Sequence, residues 1–211
     1  MPGVDCMSQN PDLTHETNLW PHYTYIAGLD EAGRGALAGP VAVGAVILPH
    51  GDPTLLASTL AGARDSKQMT PRARARLAIC IKEAALNWSV GFAAAFEIDT
   101  QGIVRATRLA AMRALRQFSL SPQYLLTDFR LELPHLELPQ TSLVKGDALC
   151  LSIACASILA KTERDALMLD LDERHPGYQL GKHKGYGTQA HRSALRRLGM
   201  SEIHRKTFHI T

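Results

Sequence analysis

The chain has 211 residues, 45% of them hydrophobic and 20% charged, which is typical of a globular protein with one sizeable core and excludes a disordered chain. The formal net charge of +3 is too small to indicate a partner by itself. There is no run of roughly 18 apolar residues, so we expect no membrane span, and the first residues lack the apolar stretch of a signal peptide. The four cysteines lack zinc-site or disulfide spacing, which predicts reduced thiols in a cytoplasmic protein.

Residues 1–22 are polar and aperiodic, which predicts a flexible N-terminal tail before a single domain over residues 23–211. Apolar runs bounded by turn residues then predict five strands, over residues 25–30, 41–48, 88–96, 124–128 and 142–144.

Helical spacing of apolar residues predicts four helices, over residues 71–86, 99–118, 150–172 and 189–198. The first begins with Thr70 as N-cap and Pro71 at the first helical position, and the last is closed by Gly199. Because strands alternate with helices and the early strands follow one another directly, we predict an α/β fold. Its mixed central sheet is flanked by helices and followed by a small helical C-terminal segment.

Carboxylates stand at the ends of three predicted strands: Asp30 with Glu31, then Asp128, then Asp147. Functional side chains often collect at strand ends, and four acids in one site would repel one another strongly. Divalent ions with oxygen ligands, such as Mg²⁺ or Mn²⁺, relieve this repulsion, and a pair of them can hydrolyse a phosphodiester. For any one acid alone, a helix cap or a solvated position is the simpler interpretation.

Asp30 and Glu31 are adjacent, and neighbouring side chains of a strand point to opposite faces. They can share a site only if the strand ends there, and Gly33 and Gly35 make a turn at that point feasible.

The C-terminal segment is basic, which favours a polyanion-binding surface, although a solvated helix end is the alternative. Its cations are Lys182, Lys184, Arg192, Arg196, Arg197, Arg205 and Lys206. We expect three histidines of this segment, His183, His191 and His204, to be polar surface residues or phosphate contacts.

Five blocks of the chain resemble the signatures of the ribonuclease HII family in order and spacing. They are GLDEAGRGALAGP at 28–40, DSK at 65–67, KGD at 145–147 with SIACASILAK at 152–161 and RD at 164–165, HKGYGT at 183–188, and HR at 204–205 with Phe208. The resemblance covers residues 25–208, nearly the whole chain.

This resemblance implies a ribonuclease H-like fold and a monomeric endonuclease that uses Mg²⁺ or Mn²⁺ in a two-metal mechanism. Its substrates would be the RNA strand of RNA·DNA hybrids and duplex DNA with single ribonucleotides, cut 5′ to the ribonucleotide to leave 3′-hydroxyl and 5′-phosphate ends. The acids of the family, which serve as catalytic and metal-binding residues, fall on Asp30, Glu31, Asp128 and Asp147, with Asp30 and Asp128 as the main ligands.

The resemblance also implies the residues that bind substrate: Gly33, Arg34, Gly35, Ser66, Lys67, Lys145 and Tyr186. The main chain of residues 33–35 would sense the ribose 2′-hydroxyl, since glycines allow close approach. Tyr186 would stack on the sugar of the next deoxyribonucleotide, so that the two together detect an RNA-to-DNA junction. Ser66 and Lys67 would hold backbone phosphate.

Three other functions stay open at this point. Ribonuclease HIII carries an additional N-terminal substrate-binding domain, which the short segment before the first strand cannot form. A DNA nuclease or resolvase would use clustered acids but has no need of the 33–35 glycines with Tyr186. A non-catalytic hybrid-binding protein could dispense with the acids, yet all four are present.

Overall fold

The computed structural model describes residues 10–63, 66, 69–129 and 131–209. Its strands are β1 (Ile26–Ala32), β2 (Val41–Ile47), β3 (Asn87–Ala93), β4 (Tyr124–Asp128) and β5 (Gln140–Leu143). Its helices are α1 (Thr14–Leu19), α2 (Pro53–Thr59), α3 (Pro71–Ala84), α4 (Ala95–Gln101), α5 (Ile103–Leu115), α6 (Gly146–Leu149), α7 (Leu151–Arg174), α8 (Leu180–His183) and α9 (Gln189–Leu198).

The five strands form one mixed sheet in the order β3-β2-β1-β4-β5. β1, β2 and β3 are antiparallel neighbours, whereas β4 runs parallel to β1 and β5 parallel to β4. The mixed α/β sheet predicted from the sequence is thus confirmed. Because β1 and β4 are parallel and adjacent, their C-terminal ends lie at the same edge of the sheet, and these ends carry Asp30 and Asp128.

Both faces of the sheet are covered, which explains why its central strands are almost wholly apolar. α7 packs on one face with α1, α2 and α3, and α4 and α5 pack on the other. α7 lies unusually close to β2: a Cβ atom on Gly44 would be 2.2 Å from the Ala156 carbonyl oxygen. This close approach brings the first third of α7 next to the end of β1. No helix within the described ranges is long and apolar enough to cross a membrane.

Several predicted helix ends are confirmed. Thr70 caps α3 through a hydrogen bond from the Ala73 amide, and Pro71 is the first residue of that helix. α9 has the predicted bounds and ends at Gly199, whose φ is 76°.

The structure adds the short helices α2, α6 and α8 to the prediction, and differs from it most in two other places. The tail predicted over residues 1–22 is not loose within residues 10–22, because α1 packs there with buried Leu13, Glu16 and Trp20. The single helix predicted over residues 99–118 is two helices, because Gly102 takes a left-handed φ of 79° between α4 and α5.

Candidate active site

Three carboxylates from two neighbouring strands meet at one edge of the sheet. One oxygen from each of Asp30, Glu31 and Asp128 lies within 4.8 Å of the other two. β1 does not end at Asp30, as the sequence argument required, but continues to Ala32. The Asp30 side chain folds back so that its Oδ1 accepts a hydrogen bond from the Glu31 amide at 2.7 Å, and the two carboxyl groups still join one cluster.

The electrostatics of this cluster fit a divalent cation. The pKa of Asp30 is raised well above its usual value, first because the carboxyl group is buried and then because Glu31 lies beside it. Asp128 and Asp147 add repulsion, and a hydrogen bond with Ser157 opposes the shift. A bound cation reverses this balance, because its charge favours the ionised form of each carboxylate. Carboxylate oxygens are the ligands of hard divalent ions, so the residues present fit such a metal.

Asp147 approaches the cluster from a helical turn and not from a strand end. It lies in α6, whose first residue, Gly146, donates its amide to Asp128 Oδ1 at 2.7 Å. The Asp147 charge contributes to the raised pKa of Asp30, although Asp147 lies outside the tight group of three. Lys145 is exposed and precedes this turn with a left-handed φ of 57°.

Two buried serines lie behind Asp30, and the sequence analysis did not anticipate their arrangement. Ser157 on α7 hydrogen-bonds with the Asp30 carboxyl group, and its Oγ lies 2.9 Å from Ser66 Oγ. Ser66, a predicted phosphate contact, is therefore only 2% exposed. Lys67, its predicted companion, lies outside the described residues.

A cavity of about 470 Å³ opens beside Glu31. It is lined by Glu31, Ala32, Gly33, Arg34, Gly35, Ser66, Arg74, Lys161 and Tyr186. Three cations, Arg34, Arg74 and Lys161, lie on its wall. Each has an acidic partner: Arg74 and Lys161 contact Asp165 at 2.8 and 2.7 Å, and Arg34 lies 3.7 Å from Glu31. Lys161 and Asp165 are four residues apart on α7, a spacing that favours an ion pair on a helix.

The residues that follow the acids, the 33–40 loop, are held by a buried guanidinium group. Arg205 donates to the carbonyl of Gly33 at 2.7 Å, of Arg34 at 2.8 Å and of Gly39 at 3.0 Å. Because a trans peptide points its N–H opposite to its carbonyl, the N–H groups of Arg34 and Gly35 point away from Arg205. Burial is the main reason that the pKa of Arg205 is lowered to about 9, which leaves it charged at neutral pH.

Arg164, a second buried cation, holds the other end of the same loop. It donates to the carbonyls of Pro40 at 2.8 Å and Ala38 at 3.2 Å, and to the Lys184 carbonyl at 2.9 Å. Its side chain also occupies the space next to Gly33, whose φ is 84°, and a Cβ there would lie 1.9 Å from Arg164 Nε. The first glycine of the loop is therefore required both by its backbone conformation and by this contact.

Tyr186 lies beside the 33–40 loop. The Gly185 carbonyl accepts a hydrogen bond from the Leu37 amide at 2.8 Å, which ties the two segments together. The half-buried Tyr186 ring lies 5.4 Å from Lys161 Nζ and 5.6 Å from Arg164 Cζ, as in cation–π contacts.

The predicted basic surface is present but smaller than expected. Its exposed members are Lys182, Arg196, Arg197 and Lys206. Arg205 does not belong to it, because its side chain is fully buried against the 33–40 loop.

The comparisons with known proteins agree with this site. A model of the ribonuclease HII family matches residues 27–211. The chain is 48% identical to a ribonuclease HII of Dehalococcoides mccartyi over 99% of this chain and 95% of that one. This chain belongs to the ribonuclease HII family. It is an endoribonuclease that cleaves RNA in RNA–DNA hybrids. A Thermus thermophilus ribonuclease HII is 49% identical, with 92% of this chain and 90% of the relative covered.

Solved structures give the same fold. Ribonuclease H2 from Pyrococcus horikoshii superposes with a TM-score of 0.72 at 23% identity, covering 88% of this chain and 94% of that one. Ribonuclease HII in the PCNA:RNase HII complex from Archaeoglobus fulgidus gives 0.73 at 23% identity, with 89% and 96% covered. Bst-RNase HIII in complex with Mn²⁺ gives 0.63 at 19% identity, with 87% and 67% covered. The ribonuclease H-like fold inferred from the sequence is thereby confirmed.

Proposed function

We propose that this ribonuclease HII cuts the RNA strand of hybrids and also cuts 5′ to single ribonucleotides embedded in duplex DNA, leaving 3′-hydroxyl and 5′-phosphate ends. One observation carries this proposal: Glu31 belongs both to the carboxylate cluster and to the wall of the cavity. A hydrolytic centre thus adjoins a cavity lined by the main chain of residues 33–35 and by Tyr186.

In this proposal Asp30, Glu31 and Asp128 hold the divalent metal, Mg²⁺ or Mn²⁺, and Asp147 completes the site. Such ions activate a water molecule and stabilise the leaving oxygen of a phosphodiester. Hydrogen bonds orient two of these carboxylates: the Glu31 amide donates to Asp30, and the Gly146 amide donates to Asp128.

The cavity supplies the specificity for ribose. The N–H groups of Arg34 and Gly35 donate to the 2′-hydroxyl oxygen, which a deoxyribose lacks, and Tyr186 stacks on the sugar that follows. A site built to hydrogen-bond a substrate hydroxyl rejects an analogue without it strongly. The remaining contacts go to backbone phosphates, through Ser66, Lys67, Lys145, Arg74 and Lys161.

The test is a duplex with one embedded ribonucleotide, incubated with and without Mg²⁺ or Mn²⁺. We expect metal-dependent cutting 5′ to the ribonucleotide, nearly abolished in Asp30→Asn and Asp128→Asn. Asp170→Asn, an exposed acid on α7, serves as the control and should cut normally. Full activity in either site variant would refute the metal assignment.

The same assay separates the other functions. Equal cutting of an all-DNA duplex would indicate a DNA nuclease, and binding without cutting would indicate a hybrid-binding protein. The proposal also treats the enzyme as a cytoplasmic monomer, in keeping with its free Cys80, Cys150 and Cys155. Sedimentation of the free protein should give one protomer mass.

A further inference from the structure

His183, His191 and His204 cluster beside Tyr186, and the last two are not the surface contacts that the sequence suggested. The ring centroids of His183 and His191 are 4.4 Å apart, and those of His191 and His204 are 5.3 Å apart. His191 and His204 are buried, with 0% and 1% exposed. Buried polar atoms need partners within the protein, and the partners of these two rings connect them to Tyr186.

These partners determine which ring nitrogens carry hydrogen. His204 Nδ1 accepts from the Ser201 amide at 3.0 Å, so the hydrogen of the neutral ring is on Nε2, 3.1 Å from His191 Nε2. At the other end, His191 Nδ1 lies 3.1 Å from the Tyr186 carbonyl oxygen, which can only accept. His191 therefore carries its hydrogen on Nδ1 and accepts on Nε2. Both ends require the same direction of donation, from Ser201 through two neutral rings to Tyr186.

The neutral state of both rings agrees with their surroundings. Burial lowers the pKa of His191, and burial followed by the proximity of His191 lowers the pKa of His204 to about 4. Near neutral pH both rings are uncharged, as the chain of hydrogen bonds requires.

Among the described residues, three hydrogen bonds hold the main-chain groups of Tyr186, and the one from His191 is the one that a side chain provides. Tyr186 lies between α8 and α9, after two residues with left-handed φ values of 53° and 80°. Its N–H donates to the His183 carbonyl at 2.9 Å, and its carbonyl accepts from the Thr188 amide at 2.8 Å and from His191. The histidine bond connects the Tyr186 carbonyl to α9, and through His204 to the residues that follow α9.

We propose that His191 is a positioning residue for Tyr186 and that His204 fixes the tautomer in which His191 donates. The bond from His191 fixes the Tyr186 carbonyl and thereby holds the ring in the orientation that distinguishes an RNA-to-DNA junction from uniform hybrid. This inference rests on the junction role proposed above for Tyr186. It places both histidines outside the hydrolytic centre, so that their loss changes substrate preference more than the rate on uniform hybrid.

Two substitutions of His191 separate a hydrogen bond from simple packing. In His191→Asn, the amide nitrogen can take the place of Nδ1 and still donate to Tyr186. In His191→Gln, the amide reaches the position of Nε2 and retains only the bond to His204, although Gln is closer to His in volume. The readout is the ratio of kcat/KM on a duplex with one ribonucleotide to kcat/KM on uniform hybrid, with Tyr186→Ala as reference.

We expect His191→Gln to lower this ratio about fivefold, the value of one hydrogen bond of about 1 kcal/mol, and His191→Asn to stay within about twofold of the unchanged protein. Urea unfolding of both variants checks that each is folded. The positioning role is overturned if His191→Gln keeps the ratio and His191→Asn lowers it. It is also overturned if neither variant changes the ratio while Tyr186→Ala lowers it. If Tyr186→Ala itself leaves the ratio unchanged, the junction role of Tyr186 fails instead.

A spectroscopic measurement tests the hydrogen-bond chain without any substrate. Long-range ¹H–¹⁵N spectra of the full chain, labelled at histidine, report the tautomer of each ring. Near neutral pH we expect hydrogen on Nδ1 of His191 and on Nε2 of His204. The opposite tautomer of His191, or averaging between the two, would overturn the proposal even if the kinetics agreed.

Discussion

At Asp30, the proposed metal site and the stability of the fold make opposite demands. The carboxyl group is buried and lies among other acids, which raises its pKa. We predict that Asp30→Asn abolishes cleavage but increases the free energy of unfolding of the metal-free protein by about 1–2 kcal/mol, because the variant removes a buried charge. The amide oxygen can still accept from the Glu31 amide. Urea unfolding in the presence of a chelator, at about pH 7.5, measures the difference.

The matching control is the effect of added metal. Mg²⁺ or Mn²⁺ should stabilise the unchanged protein, because a ligand that binds only the folded state raises its stability, and should stabilise Asp30→Asn much less. A variant that is less stable without metal, or equally stabilised by it, would contradict this account of the cluster.

Arg205 illustrates a residue whose importance lies in its shape as well as in its charge. Its planar guanidinium reaches three carbonyls of the 33–40 loop, and a lysine ammonium cannot match that geometry. We predict that Arg205→Lys lowers the free energy of unfolding by about 2–3 kcal/mol, since buried carbonyls lose donors. It should also reduce kcat/KM on a single-ribonucleotide duplex at least about tenfold.

Arg196→Lys is the control for this prediction, since Arg196 is exposed on α9. It should leave stability and activity nearly unchanged. Wild-type activity and unfolding midpoint in Arg205→Lys would show that the loop does not depend on the guanidinium.

The sequence predicts residues at this site unevenly, for a physical reason. Asp30, Glu31 and Asp128 follow from acids at the ends of strands and from the resemblance to the family. The roles of Ser157 and Arg205 do not, although both residues lie within the matching blocks, because these roles depend on burial, which is set by packing between segments far apart in the chain. Arg205 is the clearest example, since its charge predicts a surface position and the structure buries it completely.

At the scale of elements, the beginning of α7 depends on a residue from the N-terminal segment. Glu16 Oε1 accepts from the Ser152 amide at 2.8 Å and from Cys150 Sγ at 3.1 Å, and Cys150 itself provides no side-chain cap. Glu16 thus caps α7 across 136 positions of sequence, and its charge lies at the positive end of the helix. A polar segment alone gave no sign of this contact, so the tail prediction was wrong for residues 10–22.

We predict that Glu16→Ala lowers the free energy of unfolding by about 2 kcal/mol, because the buried Ser152 amide loses its acceptor. Glu16→Gln keeps the acceptor without the charge, and should lose about half as much or less. Thermal unfolding compares the two variants with His15→Gln, a neighbour on α1. Equal effects of Ala and Gln would indicate that charge, and not the hydrogen bond, is what α7 requires.

Helix breaks are equally hard to predict locally. The apolar residues from 99 to 118 keep helical spacing throughout, although the structure breaks the helix at Gly102. A glycine within a helical pattern is usually tolerated, but this one takes a left-handed φ of 79° and separates α4 from α5.

At the scale of the whole molecule, the C-terminal segment connects the two parts of the cavity wall. Adjacent His204 and Arg205 extend toward different targets: Arg205 holds the 33–40 loop, and His204 reaches Tyr186 through His191. The backbone adds an isolated bridge between Ala38 and His204. Two segments distant in the sequence are therefore positioned by one dipeptide, which sequence patterns cannot reveal, because both targets lie many residues away from it along the chain.

The buried histidines also predict how stability depends on pH. The His204 pKa is lowered to about 4 in the folded protein, below the value of about 6.5 in an unfolded chain. Between these values the unfolded state binds more protons, so the folded state loses stability as pH falls. At about pH 5, His204 lowers the free energy of unfolding by about 2 kcal/mol relative to neutral pH. The raised pKa of Asp30 acts in the opposite direction, since there the folded state binds more protons.

Comparison with a variant separates these opposing contributions. His204→Gln removes the ring that titrates but leaves Asp30 in place, so the difference between the two proteins isolates the histidine. From about pH 7.5 to about pH 5, we predict that the free energy of unfolding falls more in the unchanged protein than in His204→Gln, by about 2 kcal/mol. Urea unfolding followed by circular dichroism at several pH values measures this difference. Parallel pH profiles would mean that His204 is protonated as easily in the folded protein as in the unfolded one. That result would contradict the prediction, which depends on a buried ring hydrogen-bonded between Ser201 and His191.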